Sequence, residues 1–289
     1  MISFIVSSTC EARAEALRSN IDSHLGMPFE FIAIENRQHP RSIAQVYNKG
    51  ASAAQGQVLC FLHEDIAFHS SGWGQTVESK ALQSDCGLVG FIGSWYKSLT
   101  PSGWSIDKDT DIGTFIQGGG NKPKTYSRRR QDLPFEPCAV VDGFCMFVSK
   151  AHWKAHPFDE QIIRSFHAYD IDFSLTLMAA GLQNYVCHII SIEHFSPGHF
   201  GQDWLKATLC LHDKWQDWLP MYVGEPLSQE AVRDLEQRAA YRFCKLTLRS
   251  DIRLADAFSL IHHAQLPPAK KLKLCAKLLF YRLRGKLTR

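Results

Sequence analysis

The 289-residue chain has no window of about 18 unbroken apolar residues, the length a helix needs to cross a bilayer, which argues against a spanning segment. No basic stretch precedes its first apolar segment, "MISFIVSSTCEAR", so no secretory signal is expected. Its 9 cysteines, an odd number, include no CxxC pair and no zinc-ligand spacing, and several, such as Cys60 and Cys145, sit inside apolar runs. That pattern excludes a disulfide framework and reads as buried free thiols in a reducing, cytoplasmic setting. A net charge of +3 is too small to call for nucleic acid as a partner. No GxxxxGK[ST] loop is present: "GGGNKPK" at 118–124 lacks the spacing, and no apolar strand leads into it. No repeat of solenoid period occurs. With 45% hydrophobic and 21% charged residues, the remaining class is an ordinary globular protein.

What is there is a regular alternation. "ISFIVSS" is a short apolar strand, and Ala14, Leu17, Ile21 and Leu25 then form a helical stripe closed by Gly26. "FEFIAIEN" is a second strand, "SIAQVYNKGASAA" a second helix despite Gly50, and "QVLCFLHED" a third strand. A helix around 72–82 and the strand "CGLVGFIG" follow. This order predicts an α/β domain whose mostly parallel central sheet carries helices on both faces.

In such sheets ligands bind beyond the carboxyl ends of the strands. Ser7 and Ser8, then Glu35 and Asn36, then His63, Glu64 and Asp65 stand at three consecutive strand ends. One polar strand end is explained by a solvated loop. Three in a row on the ligand edge predict a site.

Residues 96–134 are rich in Gly, Ser, Pro and charge and predict a long irregular loop or lid. Beyond it, "PCAVVDGFCMFVSK" is an apolar strand interrupted by Asp142 and Gly143. An unpaired buried charge is costly, so Asp142 either caps a nearby amide at a bend or serves a site. "DFSLTLMAAG" is helical, with Asp170 or Asp172 placed to cap its start and Gly181 to end it; capping explains one aspartate, not both. "YVCHIISIEHF" is a further strand with Glu193 and His194 at its end.

Taken in order, "FIVSS", "FIAIEN", "YNKGASAAQGQVLCFLHED", "VDGFCMFVSK", "YDIDFSLTLMAAG" and "IEHFSPG" resemble family 2 glycosyltransferases of the GT-A fold, over about residues 2–200. The resemblance implies a Rossmann-like GT-A domain over 1–205, with an irregular acceptor-side loop at about 96–134, and a helical C-terminal extension over 206–289. "HED" stands where such enzymes carry a DxD-type motif. The resemblance thus makes Asp65 a ligand of the divalent metal bridging the donor diphosphate, in an H-x-D version with His63 in place of the first aspartate. His194 matches a histidine that approaches the metal or diphosphate. Ser7 and Glu35 fall where the family holds base and ribose, and Ser8, Asn36, Asn48 and Glu64 belong to the same donor-side motifs. Asp142 and Gly143 fall near the donor sugar and acceptor. Asp170 aligns with the family's catalytic base, and Tyr169 stands in place of the preceding acid.

The same resemblance implies Mn²⁺ or Mg²⁺ as cofactor, histidine ligation favouring the softer Mn²⁺. It implies a nucleotide-sugar donor, a UDP-sugar foremost, and a glycan or lipid-linked acceptor in bacterial surface polysaccharide or glycolipid assembly. One base opposite the leaving group implies direct displacement with inversion. At a helix start, Asp170 is expected to stay ionised. Other readings stay open: a nucleotidyltransferase, a metal-dependent phosphohydrolase, or a non-catalytic sugar-nucleotide-binding domain. The first is disfavoured because no Gly-rich basic loop follows the first strand. The last is disfavoured because Asp65, Asp170 and His194 occur together. Trp73, Trp95 and Trp104 suit stacking on sugar rings, although a single tryptophan more often packs in a core or loop.

The last 20 residues, 270–289, lack acids altogether. Lys270, Lys271, Lys273, Lys277, Arg282, Arg284, Lys286 and Arg289 are interleaved with Leu272, Leu274, Leu278, Leu279, Phe280, Leu283 and Leu287. A basic amphipathic helix without acids reads as a peripheral contact to an anionic membrane surface on the cytoplasmic side; a final helix packed on the domain, its lysines solvated, is the equal alternative.

Overall fold

A computed structural model describes residues 1–119, 122–162, 164, 166–196, 198, 200–248 and 251–287. Arg289 and the side chains of Arg284, Lys286 and Leu287, counted above in the basic stretch, lie outside the described residues.

The first strands and helices follow the sequence pattern. Strand β1 (Ile2–Ser8) leads to α1 (Glu11–Leu25), β2 (Phe29–Glu35), α2 (Ile43–Ala53) and β3 (Val58–Leu62). β1 pairs in parallel with both neighbours, Ile2 lying opposite Phe29 and Val58. α1 buries the stripe Ala14, Leu17, Ile21 and Leu25. α2 starts on a capping box of Ser42 and Gln45. Its internal Gly50 has a packing reason: a Cβ there would meet Ile5 Cγ2 at 2.3 Å, so glycine lets the helix lie directly on β1. β3 is buried at every position, as a central strand covered on both faces must be.

The chain continues through β4 (Ile66–Phe68), α3 (Gly74–Ala81), β5 (Cys86–Gly90), β6 (Ile92–Ser94), β7 (Tyr96–Lys97), β8 (Asp111–Gln117), β9 (Lys124–Arg128), β10 (Phe135–Cys138), β11 (Val140–Val141) and β12 (Cys145–Ser149). There follow α4 (Lys150–Ala155), α5 (Tyr169–Ala179), β13 (Gln183–Cys187), β14 (Ile192–His194), α6 (Gln202–Trp215), β15 (Met221–Tyr222), α7 (Gln229–Thr247), α8 (Leu254–His263) and α9 (Pro268–Leu287). Three expectations are corrected here. "CGLVGFIG" and "YVCHIISIEHF" each divide into two strands, β5 with β6 and β13 with β14, because the chain leaves one sheet and enters another. The single strand expected over 137–150 divides likewise into β10, which begins at Phe135, then β11 and β12. The stretch 96–134 is not irregular throughout: β8 and β9 form an antiparallel hairpin with Gly113 opposite Arg128 and Gln117 opposite Lys124. Phe115 and Tyr126 stack across it at 5.1 Å. β9 is exposed along its whole length and carries no apolar alternation to betray it.

The central sheet has 7 strands in the order β10-β13-β5-β12-β3-β1-β2. All run one way except β10 and β12. Leu17, Ile21 and Val77 of α1 and α3 pack on one face. Val46, Ile171, Phe173 and Leu211 of α2, α5 and α6 pack on the other. A second sheet, β11-β6-β8-β14-β4 with β9 beside β8, closes over the carboxyl end of the first. α6 runs across residue 205. Its Trp204 and Leu205 pack with the C-terminal helices, and its Ala207, Leu211 and Trp215 join the central core. The nine cysteines are free, most of them buried. No helix of the described residues is long and apolar enough to cross a membrane.

Candidate active site

Where the two sheets meet, a cavity of about 670 Å³ opens beyond the end of β3. His63, Glu64 and Asp65 form the connection from β3 to β4. Antiparallel pairing of β14 on β4, His194 opposite Ile66, carries His194 to the same point. One ligand atom each from His63, Asp65 and His194 lies within 4.8 Å of the others. Asp65 Oδ1 faces His63 Nδ1 at 3.8 Å and His194 Nε2 at 3.6 Å, ion-pair distances too long for hydrogen bonds. Burial pushes the Asp65 carboxyl up, but the facing His194 and His63 hold it below its ordinary value.

The tautomer of His63 follows from its neighbour. Tyr169 Oη donates its one proton to Gly143 O (3.1 Å) and lies 2.8 Å from His63 Nε2. With its proton on that carbonyl, the oxygen accepts from His63 Nε2–H, the assignment that leaves the Nδ1 lone pair toward Asp65 and free to ligate. Burial, then the proximity of His194, lowers the His63 pKa and keeps the ring neutral. His194 stacks on Phe144 at 4.9 Å, and its Nε2 is buried with no hydrogen-bond partner. Two imidazole nitrogens and a carboxylate oxygen aimed at one point, one of them orphaned, fit a divalent cation of the Mn²⁺ kind.

Asp170 lies beside this group. Its Oδ2 accepts from Gly143 N at 3.0 Å. Asp142 Oδ1 accepts from Phe144 N at 3.1 Å, so Asp142 does turn the strand and also lines the cavity. Gly143 can only be glycine: a Cβ there would lie 2.3 Å from Tyr169 Oη. The expectation that Asp170 stays ionised is corrected. Burial, then the charge of Asp142, pushes its pKa up to about 7, outweighing the amides of Ile171 and Gly143 that favour the anion. Neither aspartate of α5 is its N-cap. That position is Ala168, held at φ 70°, a conformation that costs a non-glycine residue roughly 1 kcal/mol or more. Asp172 instead accepts from Trp215 Nε1 at 2.7 Å and pairs with Lys214 at 2.8 Å, tying α5 to α6.

The donor-side residues divide. Ser7 and Asn36 line the cavity and are joined by a 3.2 Å bond from Asn36 Nδ2 to Ser7 Oγ. Glu64 lines it too, but its carboxylate shapes the turn after β1, accepting from Ser8 Oγ, Thr9 N and Oγ1, Cys10 N and Arg13. Ser8 is thereby engaged with Glu64 and is not a cavity residue. Glu35 is exposed outside the cavity wall, and the amides of Gln38 and Arg37 hold its carboxyl below the usual range. Asn48, placed at the donor side above, is corrected. It clamps the segment after α4, accepting from Trp153 Nε1 and Phe158 N and donating to Phe158 O and Glu160.

Apart from Trp104, several residues of the wall carry no sequence signal for a role in the site. Gln117 Nε2 donates to the carbonyls of His194 and Ser196, holding the His194 turn. Gly103, Trp104 and Ser105 belong to a loop fixed from below. There the buried Lys97 ammonium donates to Ser102 O, Ser102 Oγ and His212 Nε2 at 2.7–2.8 Å. Glu236 of α7 accepts from Tyr96 Oη and the amides of Leu99 and Thr100. Trp204 of α6 and Arg242 of α7 complete the wall. An amphipathic helix announces its buried stripe in sequence, but nothing marks which of its polar residues meets a cavity.

The family described as "Glycosyltransferase like family" matches residues 1–207 of this chain. No curated protein sequence matches it. Among solved structures, GalNAc-T7 with UDP, GalNAc and Mn²⁺ is similar at a TM-score of 0.53 and 10% identity, over 84% of this chain and 50% of that one. The chain thus spans half the length of that structure. The mannosyltransferase PcManGT of Pyrobaculum calidifontis, in complex with GDP-Man and Mn²⁺, gives 0.48 and 9% identity over 100% and 87% of the two chains. S. aureus TarS 1–349 gives 0.41 and 11% over 96% and 70%.

Proposed function

The chain belongs to the glycosyltransferase-like family, of family 2 type, and from this premise we propose that it transfers a sugar from a nucleotide-sugar donor to an acceptor hydroxyl. The observation that carries the reading is the convergence of His63, Asp65 and His194 in one cavity with Asp170. Those three side chains would hold Mn²⁺ or Mg²⁺. A divalent ion there supplies positive charge against the diphosphate leaving group.

The rest is done by the chain's own residues. Ser7 and Asn36 bound the end of the cavity where the nucleoside would lie. Gly143, with no side chain, lets the sugar approach the backbone, and its amide holds Asp170 in place. Asp170 accepts the proton of the attacking hydroxyl. A carboxylate with a pKa near 7 is a stronger base than one at its ordinary value, and about half of it is ionised at neutral pH. A single base on one side of the anomeric carbon means displacement with inversion.

We place the acceptor in surface polysaccharide or glycolipid assembly, with α9 as a peripheral membrane contact. α9 packs Leu274 and Leu278 on α7 and α8 but leaves Leu272, between Lys271 and Lys273, 74% exposed and Leu283 63% exposed. Each basic residue near anionic lipid is worth about 1 kcal/mol. Salt-sensitive co-sedimentation with anionic but not neutral vesicles, lost in Leu272→Glu/Lys273→Glu, is the expected result.

The central test is thermal shift against UDP-, GDP-, CMP- and dTDP-sugars with Mn²⁺ or EDTA. One donor should stabilise the protein only with the metal, and Asp65→Ala should abolish that shift without lowering the unliganded Tm. Stabilisation indifferent to EDTA and to Asp65→Ala would sink the reading.

A further inference from the structure

We propose that the cavity wall formed by α7 and the 103–105 loop is the acceptor subsite, and that Arg242 there selects an acceptor sugar carrying a carboxylate or phosphate. This rests on the glycosyltransferase reading and names the substrate class of the same site. The placement rests on the stretch of cavity wall that neither the nucleoside end nor the metal-ligating group occupies. Ser7 and Asn36 border one end of the cavity, and His63, Asp65 and His194 gather together with Asp170. Of the rest of the lining, the 103–105 loop, α6 and α7 contribute Gly103, Trp104, Ser105, Trp204, Thr208 and Arg242, beside Gln117, Phe166 and Phe200. The half-buried Trp104 offers a flat apolar face of the kind a pyranose stacks on, and Trp204 backs the wall from the C-terminal core.

Arg242 is the unusual member. Two arginines line the cavity. Arg13 is engaged with Glu64 at 3.1 Å and with Thr9 Oγ1 at 3.3 Å. Arg242 makes no hydrogen bond and no ion pair within 4 Å among the described residues, and its Nε is buried without a partner. Arg238, one turn earlier on α7, also has a buried Nε without a hydrogen bond, but its charge is met by Asp107, Asp109 and Asp234; what sets Arg242 apart is the absence of any such carboxylate within 4 Å among the described residues. Asp111 attracts Arg242 at longer range, but its Oδ2 is taken by Ser105 Oγ at 3.0 Å. Burial also holds the Asp111 carboxyl up near 7, so it neutralises the guanidinium only in part. A half-buried guanidinium with an orphaned N–H lacks its counter-charge. Its planar fork matches a carboxylate or phosphate with two parallel hydrogen bonds. A neutral sugar would leave that charge uncompensated.

The test uses the full chain with Mn²⁺ and saturating UDP, so that the donor end is filled. Glucuronate, glucose 6-phosphate and glucose are compared by ligand-observed NMR titration. At least one anion should bind about 10-fold or more tightly than glucose, the worth of a hydrogen bond to a charged group; which anion does so separates carboxylate from phosphate. Arg242→Gln should erase that preference while UDP–Mn²⁺ affinity and Tm stay unchanged. Arg242→Lys, which keeps the charge and loses the fork, should retain only part of it. Trp104→Ala should weaken all three sugars alike. Equal binding of the three sugars by the native protein, no detectable binding of either anion, or a preference surviving Arg242→Gln overturns the proposal. UDP–Mn²⁺ binding is measured separately, so its failure counts against the transferase reading and not against the anion preference.

Discussion

Replacing Tyr169 with phenylalanine removes one oxygen and leaves the ring packing intact. That oxygen accepts from His63 Nε2–H at 2.8 Å and donates to Gly143 O at 3.1 Å. Without it, nothing described here fixes the imidazole proton on Nε2, and the proton is free to move to Nδ1, where Asp65 faces it at 3.8 Å. A His63 protonated on Nδ1 cannot ligate through that nitrogen. Loss of such an orienting partner costs metal affinity typically about 10- to 100-fold, or roughly 1.4–2.7 kcal/mol. Two buried groups also lose a partner, which costs roughly 1–3 kcal/mol of stability and a Tm drop of several degrees. Mn²⁺ binding to Tyr169→Phe, followed by the EPR signal of the free ion, should therefore be weakened at least 10-fold while the protein stays folded at 25 °C. An affinity within twofold of the native protein would show that Tyr169 does not set the tautomer and that the reasoning from its hydroxyl is wrong.

Asp170→Asn keeps the bond from Gly143 N but cannot take a proton, so kcat should fall about 10²- to 10⁴-fold with donor affinity nearly unchanged. In the native enzyme the base must be ionised, so activity should rise with pH up to a plateau; the midpoint should lie at or below pH 7, since a bound cation favours the carboxylate. A pH-independent rate from pH 5 to 8 would count against Asp170 as the base. Asn48→Ala strands Trp153 Nε1 and Phe158 N and should cost about 2–3 kcal/mol in urea unfolding, with donor affinity in the refolded protein unchanged. Asp172→Asn breaks a buried contact to Lys214, which keeps Asp159, and should cost about 2 kcal/mol, more than an aspartate-to-asparagine change at a cap. Asp111 keeps its proton to about pH 7 when folded but releases it near 3.8 when unfolded. Its contribution to stability therefore falls as pH rises from about 4 to 7. Asp111→Asn should raise Tm at pH 8 more than at pH 4, and an equal effect at both would refute the assignment.

The strand and helix order of the first ninety residues was legible because burial of one helix face or of a central strand imposes a period, and the period is written in the sequence. Ala14, Leu17, Ile21 and Leu25 point inward as their spacing requires. The segments 86–93 and 185–195 each read as one strand because chain that passes from one sheet into another keeps its apolar character across the turn. β9 was missed for the opposite reason: an exposed strand has no apolar face to show.

The α/β alternation, the polar strand ends and the H-x-D step at the end of β3 are written in the sequence. Each depends on residues close together in the chain. Which polar groups meet depends on how distant segments pack. Antiparallel pairing of β14 with β4 carries His194 to Asp65 across 129 positions. The start of α5 sets the Tyr169 hydroxyl on His63. Burial beside Asp142 lifts Asp170 to about 7, where its helix position alone would have kept it low. Asn48 turns toward Trp153 and away from the site, and Arg242 reaches the cavity from a helix whose sequence resembles any solvated surface. Local spacing reports that a face is buried, but a polar side chain's partner, and with it the proton it holds, is fixed only when distant segments pack against each other.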